Sequence, residues 1–203
     1  MTVVFWDIRG FSYLCEILKG HPTLIAGFLQ EYCGVAARAV FSHGGVLDKF
    51  IGDGVMALFG VLGQEQAGAI AAVGAALELR DEFDEVQARW MQQWQLYTPQ
   101  EIVIGLGCGI HTGEALVGNV GTEMRDQFTA LGPHVNFAAR IEARSQGGQI
   151  LVSQSTEARV KLVVETSVSG KIDDIKNIPG VFKLFEVVGQ REMKGKKSAR
   201  KKD

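Results

Sequence analysis

Between Val46 and Phe59 the chain carries two short apolar segments, Val46 to Ile51 and Val55 to Phe59, with only Gly52-Asp53-Gly54 between them. A link this short reverses the chain, so the two strands must pair antiparallel; a parallel pair needs a crossover of about a dozen residues or more. With such hairpins an α+β sandwich fits better than a doubly wound parallel sheet. Strand and helix signals mix along the rest of the chain, so the fold class expected is α+β, with a largely antiparallel sheet, flanking helices and hairpins.

The other elements follow from local pattern. Val3 to Trp6 is an unbroken apolar run, as expected of a strand covered on both faces, and Gly10 and Ser12 lead from it toward a helix. Pro22 opens a long helix whose buried stripe is Leu24, Ile25, Phe28, Leu29, Tyr32, Val35, Ala36, Ala39 and Val40, closed by Gly44-Gly45. A second long helix is expected from Ala67 to about Trp94, with Trp90 and Trp94 as packing residues. Ile102 to Ile110 and Ala115 to Val120 read as a strand pair around Thr112-Gly113-Glu114, and Phe128 to Leu131 as a short strand. Gly132-Pro133 opens a helix containing Val135, Phe137, Ala138 and Ile141, ended by Gly147-Gly148. Further strands are expected at Ile150 to Val152, Val160 to Glu165 and Phe182 to Val188. One domain spans residues 1–190.

The formal net charge of −2 over 203 residues gives no sign of nucleic-acid binding. The exception is the basic run from Lys194 to Lys202, and residues 191–203 read as a solvated, disordered tail or the stub of a linker, with a phosphate-binding or membrane-surface role as the alternative. No stretch reaches the ~20 apolar residues of a membrane span. Asp7 and Arg9 interrupt the first apolar run, so no signal peptide is expected. Cys15, Cys33 and Cys108 lack metal-ligand spacing and read as reduced, buried thiols of a cytoplasmic domain. His21, His43, His111 and His134 are scattered and read as structural or surface residues.

Three constellations carry chemistry, and each also has a plain structural reading. Asp7 ends an apolar strand and is followed by Ile8-Arg9-Gly10-Phe11-Ser12. It is either a helix cap or a metal ligand beside free amides that bind phosphates, with Gly10 permitting close approach. Asp53 is either an ordinary Asp-Gly turn or a second metal carboxylate. Lys49, in an otherwise apolar strand, either snorkels to solvent or recognises a base. Asn136 and Arg140, one turn apart, either form an exposed helix face or meet a ribose and a charged phosphorus.

Taken together, four segments resemble the catalytic domain of class III nucleotidyl cyclases: Phe5-Trp6-Asp7-Ile8-Arg9-Gly10-Phe11, Asp48-Lys49-Phe50-Ile51-Gly52-Asp53, Gly109-Ile110-His111-Thr112-Gly113, and Gly132-Pro133-His134-Val135-Asn136-Phe137-Ala138-Ala139-Arg140. The resemblance runs from Val3 to about Val188, with the motifs in the family's order. It implies a ferredoxin-like, palm-type sheet. It also implies two divalent cations, Mg²⁺ or Mn²⁺, held by Asp7, Asp53 and the Ile8 carbonyl. Gly10, Phe11 and Ser12 are expected to bind substrate. Lys49 and Thr129 look like the purine-selecting pair, Asn136 like the ribose-orienting residue and Arg140 like the cation that stabilises the pentavalent phosphorus. Lys176 looks like the lysine on the terminal phosphates, although Asn177 stands where the family usually has glycine. Trp6 and Ser12 also depart from the usual small residue and threonine.

The reaction so implied is attack of the ribose 3′-hydroxyl of ATP on its α-phosphorus, giving cyclic AMP and pyrophosphate. Lys49 with Thr129 favours ATP over GTP, because lysine donates to adenine N1 and a hydroxyl accepts from the 6-amino group. Threonine here resembles the subclass that bicarbonate or carbon dioxide often activates. The family's sites lie between two head-to-tail subunits, and this chain holds both residue sets, so a homodimer is expected, with an upstream regulatory domain. The rival readings are a guanylate cyclase, a relative making a dinucleotide, and a nucleotide-binding regulatory module without turnover.

Overall fold

The computed structural model describes residues 1–61, 67–173 and 180–191. Their element order is β1 (Thr2–Arg9), α1 (Phe11–Ile17), α2 (Pro22–Ser42), β2 (Val46–Ile51), β3 (Gly54–Phe59), α3 (Gly68–Trp94), β4 (Gly105–Thr112), β5 (Leu116–Thr122), β6 (Arg125–Leu131), α4 (Pro133–Glu142), β7 (Ile150–Ser153), α5 (Gln154–Val160), β8 (Val164–Ile172) and β9 (Phe182–Gln190). Seven strands form one sheet in the order β2-β3-β1-β4-β7-β9-β8. Only β4 and β7 pair in parallel; the other neighbours are antiparallel. The first four strands with α2 and α3 follow the ferredoxin-like βαββαβ pattern. The α+β expectation is therefore met.

Strand β1 is central, and its two faces serve different layers. Val4, Trp6 and Ile8 point into the main core with Phe28, Tyr32, Phe83 and Trp94 of helices α2 and α3. Val3 packs on the opposite face with Met56, Leu58, Val135 and Ala138, and so meets helix α4. Trp90 and Trp94 pack against Phe28, and Glu31 accepts a hydrogen bond from Trp90 Nε1 at 2.7 Å. Helix α2 has 21 residues and an 18-residue window of mean hydropathy 1.2, enough by length and composition for a membrane span, contrary to the sequence expectation. Its buried stripe is committed to the core instead.

Several boundaries differ from those expected. Strand β4 begins at Gly105 rather than Ile102, and it does not form a hairpin with β5. It fills the free edge of β1, while β5 pairs with β6 in a separate two-stranded ribbon. Helix α4 ends at Glu142, before Gly147-Gly148. Val160 closes α5, a helix the apolar pattern did not reveal, whose cap is Ser153 accepting from the Thr156 N–H at 3.3 Å; the strand starts at Val164. Cys108 is buried, but Cys15 and Cys33 are only partly so.

Candidate active site

Strand alternation puts Asp7 and Arg9 on the α4 side of the sheet, opposite Gly107 and Gly105 of β4. The β2–β3 turn, with Gly52 at φ +64°, brings Asp53 against the end of β1. There the Ile8 N–H donates to Asp53 Oδ2 at 3.2 Å. A Cβ on Gly54 would lie 3.6 Å from Asp7 Oδ1, so the hairpin tip and Asp7 are near neighbours. Burial raises the proton affinity of Asp53, Asp7 raises it further, and hydrogen bonds from its own and the Ile8 backbone partly oppose them. Two carboxylates held this way lack positive charge.

Arg9 supplies part of it. Its Nη1 donates to Asp7 Oδ2 at 2.7 Å, its Nε to the Ser145 carbonyl at 2.9 Å, and its Nη2 to the Glu142 carbonyl at 2.5 Å and to the Glu142 carboxylate. The guanidinium thereby ties the end of β1 to the end of α4. Space for this comes from β4. A Cβ on Gly107 would fall 2.5 Å from Ser145 Oγ and 2.9 Å from Arg9 Nη2, and one on Gly109 would fall 2.1 Å from the Glu142 backbone nitrogen.

Among the described residues no group of three or more His, Cys, Asp or Glu side chains gathers as a metal cage. Two carboxylates and the expected Ile8 carbonyl are a sparse, all-oxygen set. That suits a hard cation such as Mg²⁺ or Mn²⁺, which keeps positions for phosphate oxygens and water. By the chemistry of that donor set the residues fit the ions expected.

The second cluster sits on the same side of the sheet. A bulge in β2 between Leu47 and Lys49 leaves Asp48 without a partner on β3. Successive side chains normally alternate faces; the extra residue lets Asp48 and Lys49 both turn toward the β5–β6 ribbon. Lys49 Nζ lies 3.2 Å from Thr129 Oγ1, joining residues from distant elements. Thr129 donates to Asp48 Oδ2 at 2.6 Å.

Helix α4 opens after Gly132, at φ +139°, with Pro133 in its first turn. Val135, Phe137, Ala138 and Ile141 are buried, which turns Asn136 and Arg140 outward on the exposed side. Gly10, at φ +82°, is required where it stands, because a Cβ there would meet the Val103 carbonyl at 2.3 Å. Phe11 and Ser12 begin α1, which has no side-chain cap. Lys176 lies outside the described residues.

Residues 1–199 match the family model described as the adenylate and guanylate cyclase catalytic domain. The chain belongs to that family. As a cyclase domain it is 35% identical over 158 residues to an adenylate cyclase of Anabaena cylindrica, covering 76% of this chain and 30% of that protein. It is 32% identical over 199 residues to the terminal-differentiation-specific adenylate cyclase of Dictyostelium discoideum, covering 96% of this chain and 9% of that protein. The chain thus spans less than a third of either relative. Among solved structures, the adenylyl cyclase CyaB from P. aeruginosa superposes with a TM-score of 0.85 at 32% identity, covering 96% of each chain. The guanylyl cyclase Cya2 superposes at 0.81, also at 32% identity, over 94% of this chain and 92% of that one.

Three features of this cyclase domain had no reading in the sequence. Arg9 and Glu142 are far apart in the chain, and only folding brings them together. Asp48 stands in the motif beside Lys49 but carries no role of its own there. The run Gly105-Leu106-Gly107-Cys108-Gly109 did carry a usable signal: glycine at every second position leaves one face of a strand bare.

Proposed function

We propose that this domain is an adenylate cyclase catalytic domain spanning residues 1–190, converting ATP to cyclic AMP and pyrophosphate. The observation that carries the choice of base is the approach of Lys49 Nζ to Thr129 Oγ1 at 3.2 Å. It supports a paired donor and acceptor for N1 and the 6-amino group of adenine. Asp7 and Asp53, with the Ile8 carbonyl, would hold two divalent cations, which supply charge neutralisation and acidify the ribose 3′-hydroxyl. Gly10, Phe11 and Ser12 would bind the triphosphate, and Lys176 would hold its terminal phosphates. Asn136 orients the ribose so that its 3′-oxygen is in line with the α-phosphorus. Arg140 faces the oxygens on which charge grows in the transition state.

The reading places each site between two copies arranged head to tail, Asp7 and Asp53 from one and Lys49, Thr129, Asn136 and Arg140 from the other. Support comes from the β5–β6 ribbon, which exposes Leu116 at 79%, Val120 at 46% and Leu131 at 48%. Such an apolar surface is costly to leave in water. Mixing Asp7→Ala with Arg140→Ala protein, each inactive alone, restores activity through one intact site; no recovery overturns the shared-site arrangement. An upstream regulatory domain and activation by bicarbonate or carbon dioxide belong to the same proposal.

The likeness to Cya2 keeps a guanylate cyclase as the second reading. Product formation from ATP and GTP side by side decides between them. Wild-type protein is expected to make cyclic AMP, and Asp53→Ala to make ~10²–10³-fold less or lower still. Equal activity in Asp53→Ala removes that carboxylate from the site, and a preference for GTP overturns the assignment of the base.

A further inference from the structure

Asp48 has no part in the roles above, yet its side chain is 0% exposed, and a buried carboxylate is costly unless its oxygens are fully paired. Here four donors reach it: Thr129 Oγ1 at 2.6 Å, Gln127 Nε2 at 3.1 Å, the Ala130 N–H at 3.3 Å and Lys49 Nζ at 3.2 Å. A carboxylate only accepts, so the sense of every one of these bonds is set. The single proton of the Thr129 hydroxyl is therefore committed to Asp48, through the shortest of the four contacts. One hydroxyl lone pair takes Lys49 Nζ at 3.2 Å, and one remains.

We propose that Asp48 is a specificity-determining positioning residue that holds the Thr129 hydroxyl as an acceptor and so makes the site select 6-aminopurine nucleotides over 6-oxopurine ones. This rests on reading Lys49 and Thr129 as the base-binding pair. With the hydroxyl proton engaged, Thr129 offers a lone pair and Lys49 offers a proton, which matches the 6-amino donor and N1 acceptor of adenine. Guanine reverses both. Its 6-oxygen would face a lone pair and its N1–H would face an ammonium. For Thr129 to turn and donate, it would have to abandon a buried carboxylate, a loss of the kind that costs a site a large factor in discrimination. The bulge makes this possible, because it is what lets Asp48 support the pair from the same face as Lys49.

The same four bonds also fasten the ribbon to β2, so a purely structural role must be told apart. Asp48→Asn keeps the shape but replaces one accepting oxygen and the negative charge with a donating amide, which weakens the hold on the Thr129 proton. The measurement is kcat/KM for ATP and for GTP in wild-type, Asp48→Asn and Thr129→Val proteins. The ratio of ATP to GTP is expected to fall at least about tenfold in Asp48→Asn. Equal loss on both substrates, with the ratio unchanged, overturns the proposal. A second measurement needs no folded variant: wild-type protein should turn over purine riboside triphosphate, which lacks the 6-amino group, about tenfold less efficiently than ATP. Equal efficiency means nothing accepts from that amino group, and the proposal falls. A ratio that collapses in Thr129→Val but holds in Asp48→Asn overturns the role of Asp48 alone. A wild-type enzyme with no preference for ATP overturns the base-pair reading beneath it.

Discussion

Two regions of the chain each set a carboxylate beside a cation, and they differ in how far the carboxylate is satisfied. Asp48, with its side chain wholly buried, takes four donors. Asp7 stays 37% exposed with Arg9 on one oxygen, and the proton affinity of Asp53 is raised by burial and by Asp7. A saturated carboxylate shapes its neighbours. An under-supplied pair marks the place where a positive ligand lowers the energy of the whole.

The largest expected effect tests that contrast directly. Asp7→Ala or Asp53→Ala should cut cyclic-nucleotide formation by ~10²–10³ or more while the circular dichroism spectrum stays that of the wild type. Should either variant instead unfold, the carboxylates would be structural in the manner of Asp48, and the distinction would fail. Arg9→Gln comes next. It strands the Glu142 and Ser145 carbonyls and should lower the free energy of unfolding in urea by about 2 kcal/mol. A stability unchanged within error would mean the link between β1 and α4 is held by packing alone.

Gly109→Ala forces a methyl against the backbone of Glu142 and should cost about 1–3 kcal/mol by the same assay. Its turnover should fall further than that of an alanine placed at Gly118, where nothing stands within 4 Å.

A further effect comes from a polar cluster outside both regions. His111 bonds to Ser153 Oγ and His134, at 2.8 and 2.7 Å. Burial, and then His134, Arg159 and the amino terminus, push its pKa down from 6.5 to about 3. The unfolded chain therefore binds the proton more readily between those values. Stability contributed by neutral His111 is whole above about pH 6.5 and drains away as the pH falls toward 3, by at most about 1.4 kcal/mol per pH unit. His111→Gln should flatten the difference between urea midpoints at pH 7 and pH 5. An unaltered slope would show that another group governs acid sensitivity.

What the sequence revealed followed from range. The β2–β3 hairpin, both long helices and α4 were legible because their signals lie within a few residues: glycine turns, proline starts and three-four spacing. Asp7, Asp53, Asn136 and Arg140 stood out because they lie beside those signals, while the roles given to them are what the family resemblance implies. The partners of β4 and β5 were misread because two adjacent strands usually form a hairpin, and only the vacant edge of β1 explains why β4 goes elsewhere. Asp48 was silent because its importance depends on a bulge, a matter of register between strands. Arg9 was silent because Glu142 and Ser145 reach it only through the fold.

The bare face of β4 has a practical bearing on how such a domain is retuned. Glycines at 105, 107 and 109 form the seat on which the last turn of α4 and the segment after it rest. The seat height sets how far α4 stands from β1 and from Asp7 of the same chain. An engineer wishing to shift that separation would do best to work on a strand that contains no reactive group in those three places, adding one methyl at a time.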